Sequence, residues 1–183
     1  LAVRHPLNMI FGYFTLLSFG MCILSFLSSP RRHYDSLISL ILHIIFIVCT
    51  IYFFGWITWI LAILMPFSIA CGFGAYLFYA QHNFPGVTFK NNIEWSYEHA
   101  ALESSSYMKT NRFWQWVTAN IGFHHIHHLN AKIPFYRLPE TMRALPELQN
   151  PKITTLWPSD IIKCLRLKIW DPDKQQMVPL SAI

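Results

Sequence analysis

The chain combines long uncharged apolar stretches with a C-terminal half that carries most of the charge. No Asp, Glu, Lys or Arg occurs between His5 and Pro30, or between Ser36 and Phe89. Three continuous apolar segments lie within these stretches, at residues 7–27, 37–54 and 56–80. A helix needs roughly 20 apolar residues to cross a bilayer, so each segment predicts a membrane-embedded helix.

The second and third apolar segments are separated by Gly55 alone. Two apolar helices joined this closely predict a helical hairpin with almost no loop. We expect Pro66 to kink the second of the two helices, because proline removes a main-chain donor inside a helix.

Charges at the ends of the segments predict the topology. Arg4 precedes the first segment, and Arg31 with Arg32 follows it. By the positive-inside rule, positively charged flanks stay on the cytoplasmic side. A single crossing by residues 7–27 would place one of these two flanks on the other side and violate that rule. We therefore expect residues 7–27 to be interfacial or re-entrant, while the hairpin crosses twice and returns His82 to the cytoplasmic side.

Composition agrees with a membrane protein and disfavours other classes. Hydrophobic residues make up 54% of the 183 residues and charged residues 13%. The formal net charge is +5, yet no dense Lys/Arg run exists to neutralise phosphates, so we predict no nucleic-acid binding. The four cysteines form no C-x-x-C pair, which disfavours a zinc site or a disulfide framework.

The region after Phe89 is predicted to form a helical cytoplasmic cap. Eleven of the 14 Lys and Arg residues fall there. The expected fold is all-α, a single membrane domain in which residues 81–183 form the cap. Its predicted helices are residues 93–108, 112–130, 139–149 and 158–170.

Four of the nine histidines fall in the stretch 121-IGFHHIHHLN-130. On a helix of 3.6 residues per turn, His124, His127 and His128 share one face, and His125 lies off that face. Neutral imidazole is a common ligand of transition metals, and a bound metal would keep three adjacent rings uncharged. The alternative is a solvated polar face, which the neighbouring tryptophans, Ile121 and Phe123 disfavour.

His82 is a further candidate ligand, in the stretch 79-YAQHNF-84 where the third apolar segment ends. The predicted topology places it on the same side of the membrane as the cluster. His43 lies inside the second segment and is interpreted as a neutral, packed histidine. His5, His33 and His99 are interpreted as surface or interfacial residues.

The stretch 111-NRFWQWVTANIGFHHIHHLNAKIPFYRLPE-140 resembles the third histidine box of integral-membrane fatty acid desaturases. It is most similar to the bacterial and cyanobacterial omega-6/delta-12-like group. The signal is H-x-x-H-H followed by HLN-x-x-IP-x-Y-x-L, together with the upstream YAQHNF and ALESSSY. These motifs cover residues 76–140.

The resemblance implies a di-iron enzyme that uses O2 to introduce a double bond into an acyl chain of a membrane lipid. It carries the metal ligands over to His82, His124, His127 and His128. Asn120 and His125 are candidates for groups that contact those ligands. The implied electron donor is ferredoxin or cytochrome b5, which the basic residues Lys109, Arg112, Lys132 and Arg137 could meet, as they could anionic lipid headgroups. The oligomeric state is not predicted.

One part of the family pattern is absent. Residues 1–78 contain neither an H-x-x-x-x-H box nor an H-x-x-H-H box, which the family places before this region. We therefore expect the chain to correspond to the C-terminal part of a desaturase, and to be inactive alone.

Other functions stay open at this point. A related di-iron hydroxylase or ketolase would share the scaffold. A haem-binding membrane protein would need paired histidines inside the spans, where only His43 lies. A catalytically inactive remnant would bind little metal.

Overall fold

In the computed structural model of the chain, the described residues are His5 and residues 7–182, with Ile10 described for its main chain only. Arg4, which entered the topology prediction, lies outside them. The chain divides into two compact units, of which the first ends at Tyr76 and the second begins at Leu77. The fold is mostly helical.

The two predicted long apolar helices are confirmed. The helices Tyr34–Phe54 and Trp56–Ala80 have mean hydropathies of 2.6 and 2.0, and both are long and apolar enough to cross a membrane. Gly55 joins them with φ +83°, a left-handed conformation that glycine adopts without steric cost. A single residue therefore separates the two helices, and their arrangement as a hairpin stays a prediction.

Pro66 lies just after a local widening of the second hairpin helix. Residues Ile60–Leu64 form a π-helical turn, and regular α-helix resumes at Met65. Proline cannot donate to the carbonyl group four residues earlier and its ring clashes with it, so a wider turn at this point relieves the conflict.

The first apolar segment is also helical. A π-helical turn at Asn8–Gly12 leads into the apolar helix Tyr13–Ser28, which is shorter than the two hairpin helices. Phe19 packs edge-on against His43, with ring centroids 5.3 Å apart. This contact agrees with the interpretation of His43 as a packed histidine, while the interfacial or re-entrant placement of the segment stays a prediction.

The second unit contains short helices and strands rather than helices alone. The sheet of β1 (Tyr107–Lys109) and β2 (Ile153–Thr155) is parallel, and Met108 pairs with Thr154. The sheet of β3 (Leu167–Asp171) and β4 (Gln176–Pro179) is antiparallel. The remaining elements are the α-helices Tyr97–Glu103, Arg112–Val117, His124–Leu129, Leu138–Ala144 and Pro158–Arg166, with 3-10 turns at Ile121–Phe123, Phe135–Arg137, Pro146–Leu148 and Leu180–Ala182.

The prediction of an all-helical cap is therefore wrong in detail. Residues 93–108 and 158–170 each end in a strand, and residues 139–149 end in a 3-10 turn. The turn at residues 172–175, where Gln175 takes φ +51°, allows β3 and β4 to pair as a hairpin. Such short strands are fixed by pairing with distant partners, which periodicity within the segment does not reveal.

The predicted single helix over residues 112–130 is also wrong. Asn111 caps the helix Arg112–Val117 by accepting a hydrogen bond from the main-chain N–H of Trp114. The chain then turns at Ala119 and Asn120, with φ +50° and +56°. Consecutive left-handed residues cannot belong to a right-handed helix, so a separate helix begins at His124.

A small apolar core anchors the separate histidine helix. Ile126 is fully buried and packs with Phe123, so the inner face of the helix points away from solvent. The core comprises Phe123, Ile126, Leu138 and Leu148, with Leu102, Tyr107, Leu129, Ile133 and Met142 packed against it.

Candidate metal centre

His82 takes its position from the end of the Trp56–Ala80 helix. The main-chain N–H of Gln81 still donates to Leu77, and that of His82 donates to Tyr79, each over 3.1 Å. His82 thus follows directly on the last helical turn.

The turn before His124 is held close to β1. Gly122 is buried, and a Cβ atom at this position would lie 2.6 Å from the carbonyl oxygen of Met108. Only glycine allows so close an approach of the two main chains. The start of the histidine helix is therefore fixed against β1.

Three imidazole nitrogens converge between these elements. The Nε2 atom of His82 lies 2.9 Å from that of His124 and 3.1 Å from that of His128. The Nε2 atoms of His124 and His128 lie 3.0 Å apart. The result is a nearly equilateral triangle of nitrogens, formed by His82 and by the i, i+4 pair on the histidine helix.

Hydrogen bonds alone cannot satisfy this triangle. Each Nε2 of a neutral imidazole is either a donor or an acceptor. With three mutually adjacent nitrogens, at least two are of the same kind and face each other unfavourably. A cation shared by the three lone pairs removes this conflict, so the donor set is compatible with a bound metal ion.

The spacing of the nitrogens agrees with a shared ion. Metal–nitrogen bonds of roughly 2.1 Å that meet near right angles place their nitrogens about 3.0 Å apart. The separations of 2.9, 3.0 and 3.1 Å match this value. Three nitrogens on one side of an ion leave further coordination positions for other ligands.

The second ring nitrogen of His82 is also engaged. Its Nδ1 atom lies 3.2 Å from the carbonyl oxygen of Ser104. Because a carbonyl can only accept, this contact places the proton on Nδ1 and leaves the Nε2 lone pair directed at the triangle. This pairing of a main-chain carbonyl with the far nitrogen is typical of histidines that bind metals.

Burial favours the neutral imidazoles that metal binding requires. Desolvation, reinforced by the neighbouring histidines, lowers the pKa of His124 to about 3. Although His128 is exposed as a residue, partial desolvation of its ring, followed by the charges of His82 and His127, lowers its pKa. Both rings are therefore uncharged at neutral pH, and their lone pairs are available to a cation.

His127 lies outside the triangle. Its ring stacks on that of His124 with centroids 5.9 Å apart, and it is 6.1 Å from the ring of His128. Within the described ranges, His82, His124 and His128 form one group of potential metal-binding residues, and His127 is not part of it. Its role as a ligand stays a prediction.

His125 and Asn120 also point elsewhere. His125 is almost fully buried, and its ring packs against that of Tyr107 at 5.9 Å. The side-chain amide of Asn120 donates to the carbonyl oxygen of Phe135 over 3.0 Å. Asn120 therefore holds the left-handed turn before the box, and its predicted contact with the ligands stays untested.

Two contributions were not predicted from the sequence. The hydroxyl of Tyr97 donates to the carbonyl oxygen of His128 over 2.6 Å, at the end of the histidine helix. Phe78 packs edge-on against His82 and His124, at 5.6 and 5.7 Å between ring centroids. The contact of Phe78 with His82 could have been predicted, because side chains four residues apart meet on one face of a helix.

Comparisons with known proteins identify the family of the chain. A family model described as fatty acid desaturase matches residues 3–159. A fatty acid desaturase of Bacillus subtilis (strain 168) is 39% identical over 130 residues, which cover 71% of this chain and 36% of that protein. The chain thus spans little more than a third of this relative's length. Since the family match covers most of the chain and includes the whole histidine triangle, the resemblance seen in the sequence is confirmed, and the chain belongs to the fatty acid desaturase family.

Proposed function

We propose that the chain forms the C-terminal portion of an O2-dependent di-iron desaturase that introduces a double bond into the acyl chain of a membrane lipid. The observation that supports this proposal is the triangle of Nε2 atoms in a member of this family. The enzyme class is an oxidoreductase that acts on the acyl chain and reduces O2 to water.

In this proposal His82, His124 and His128 hold one iron ion through their Nε2 atoms. His127, on the same helix, contributes to the second iron together with histidines from the rest of such an enzyme. When bound, the iron pair supplies with O2 the oxidising power to remove hydrogen from an unactivated carbon chain. The described residues bring together one group of three ligands, so we expect the chain alone to bind metal without desaturating lipid.

The surrounding residues orient the ligands and limit water. Ser104 fixes the proton of His82 on Nδ1, and Tyr97 fixes the end of the histidine helix. Phe78 covers the rings of His82 and His124 with an apolar face. His124 is only 2% exposed, whereas His128 is exposed, so the triangle is open on the His128 side.

The apolar helices support a membrane location and a lipid substrate. We propose that Tyr34–Phe54 and Trp56–Ala80 cross the membrane, with Arg31 and Arg32 marking the cytoplasmic end. The histidine triangle then lies on the cytoplasmic side, where soluble electron donors are found.

Exposed basic residues support docking of an acidic electron donor such as ferredoxin or cytochrome b5. Lys109, Arg112 and Lys132 are exposed, and residues 104–139 contain no acidic residue. Arg137 forms an ion pair with Glu140 over 3.1 Å, so its charge is partly neutralised.

A domain replacement tests the proposed activity. The part of the Bacillus subtilis desaturase that this chain matches would be exchanged for the chain, and the hybrid expressed in a host without desaturases. Mass spectrometry of the lipids should show acyl chains lighter by two hydrogen atoms, which should be absent from the His124→Ala hybrid. Products heavier by one oxygen atom would instead identify a hydroxylase and contradict the proposal.

A further inference from the structure

Gln81 links the two elements that carry the histidine triangle. Its side chain is fully buried, and its Nε2 donates to the carbonyl oxygen of Ile121 over 2.7 Å. Its own carbonyl oxygen accepts from the main-chain N–H of Ser106 over 3.0 Å. Gln81 therefore connects the end of the Trp56–Ala80 helix to β1 and to the turn that precedes His124.

Two buried polar atoms on the elements joined by this link have no hydrogen-bond partner among the described residues. They are the Oε1 atom of Gln81 and the Nδ1 atom of His124. Leaving a polar group buried without a partner typically costs about 1–3 kcal/mol, so each of these two atoms calls for an explanation.

Metal binding makes these two atoms complementary. A neutral histidine that gives its Nε2 lone pair to a metal carries its proton on Nδ1, and that N–H then needs an acceptor. His82 already has such an acceptor in the carbonyl of Ser104, whereas His124 has none. Gln81 Oε1 is a pure acceptor, held by Nε2 to the turn that leads into His124.

His125 is a less suitable acceptor, although both of its ring nitrogens are buried without a partner. It follows His124 directly on the helix, so its side chain points about 100° away around the helix axis. Its ring packs against Tyr107, on the side of β1.

We propose that Gln81 is a positioning residue of the metal centre. Its Oε1 accepts the Nδ1 proton of His124 when the triangle binds an ion, while its Nε2 keeps the bond to Ile121. The single amide thereby fixes both the tautomer of His124 and the start of the histidine helix. This inference rests on the proposed function of the triangle as a metal site.

Matched variants separate this role from general packing. Gln81→Met removes the buried amide but keeps the approximate length of the side chain. Asn83→Leu removes a second buried amide two residues away, which bonds to Tyr79, Cys164 and Leu167 instead of the histidine turn. Gln81→Glu keeps an acceptor oxygen but removes the donor to Ile121.

The full chain in detergent micelles would be labelled with nitrogen-15 histidine and titrated with Zn(II). Wild type should show a slowly exchanging Nδ1–H signal, assigned by its loss in His124→Ala. Gln81→Met should lose the signal and bind Zn(II) about tenfold to a hundredfold more weakly. Gln81→Glu and Asn83→Leu should keep the signal.

The metal centre and the role of Gln81 would be overturned by different results. Failure of the wild-type chain to bind Zn(II) would overturn the metal centre itself. Normal Zn(II) binding with an unchanged signal in Gln81→Met would overturn the role of Gln81 alone. If Gln81→Met does not fold, Gln81→Glu decides: a retained signal supports the acceptor role, and its loss in a folded protein overturns it.

Discussion

The Nδ1 atom of His82 and the carbonyl oxygen of Ser104 lie 3.2 Å apart, so the main chain orients this imidazole. Ser104 is itself held in place, because its hydroxyl donates to the carbonyl oxygen of Thr88 over 2.6 Å. The direction of the His82 lone pair is therefore set by the fold of the second unit.

Gly122 should tolerate no side chain. Gly122→Ala places a methyl group 2.6 Å from the carbonyl oxygen of Met108, so β1 and the histidine turn must separate. We expect a loss of about 1–3 kcal/mol in the free energy of unfolding, with weaker metal binding. Denaturant unfolding and Zn(II) titration measure the two effects.

Gly74→Ala is the matched control, because a Cβ atom there has no other atom within 4 Å. It should leave metal binding unchanged. Equal metal affinity in the two alanine variants would show that the approach of the turn to β1 does not position His124.

A β-branched residue in place of Asn120 should destabilise the left-handed turn. Asn120→Val and Asn120→Gly both remove the bond to Phe135, but only valine is strained at φ +56°. We expect the valine variant to be less stable than the glycine variant by about 1–2 kcal/mol, measured by denaturant unfolding. Equal stabilities would contradict the turn that divides residues 112–130.

Removal of the Tyr97 hydroxyl should loosen the end of the histidine helix. Tyr97→Phe loses the bond to the carbonyl oxygen of His128 and should destabilise the chain by about 0.5–1.5 kcal/mol. Zn(II) affinity, measured by calorimetry, should fall several-fold. Tyr136→Phe, at an exposed tyrosine, is the control and should change neither quantity. An unaltered affinity in Tyr97→Phe would argue that this bond does not support the site.

Cysteine labelling tests the topology. In a background without the four native cysteines, Trp56→Cys probes the hairpin turn and Lys132→Cys probes the cap. An impermeant maleimide applied to intact cells should label only the first, and disrupted cells should label both. Labelling of Lys132→Cys in intact cells would place the histidine triangle on the opposite side of the membrane.

The two long apolar helices and the histidine spacing could be predicted because each depends on a local pattern. Continuous apolar residues around Gly55 identified both long helices, and H-x-x-H-H placed His124 and His128 on one face. The prediction of His82 as a ligand depended on the predicted topology as well, because His82 lies on a different element from His124 and His128.

The break between Val117 and Ile121 could not be predicted in the same way. Ala119 takes φ +50° although alanine favours helix, so the surrounding packing overrides its local preference. The hydrogen bond of Gln81 could not be predicted for a similar reason, because its partner Ile121 is distant in the sequence.

Iron binding by single-histidine variants tests the central claim most directly. The full chain would be titrated anaerobically with Fe(II) and analysed by metal quantification and X-ray absorption. The wild-type chain should bind an ion with imidazole ligands, and His82→Ala, His124→Ala and His128→Ala should each lose it. His99→Ala, at a histidine that contacts Thr88 instead, should bind as wild type does. Retention of the ion by all three triangle variants, or an equal loss in His99→Ala, would contradict the account.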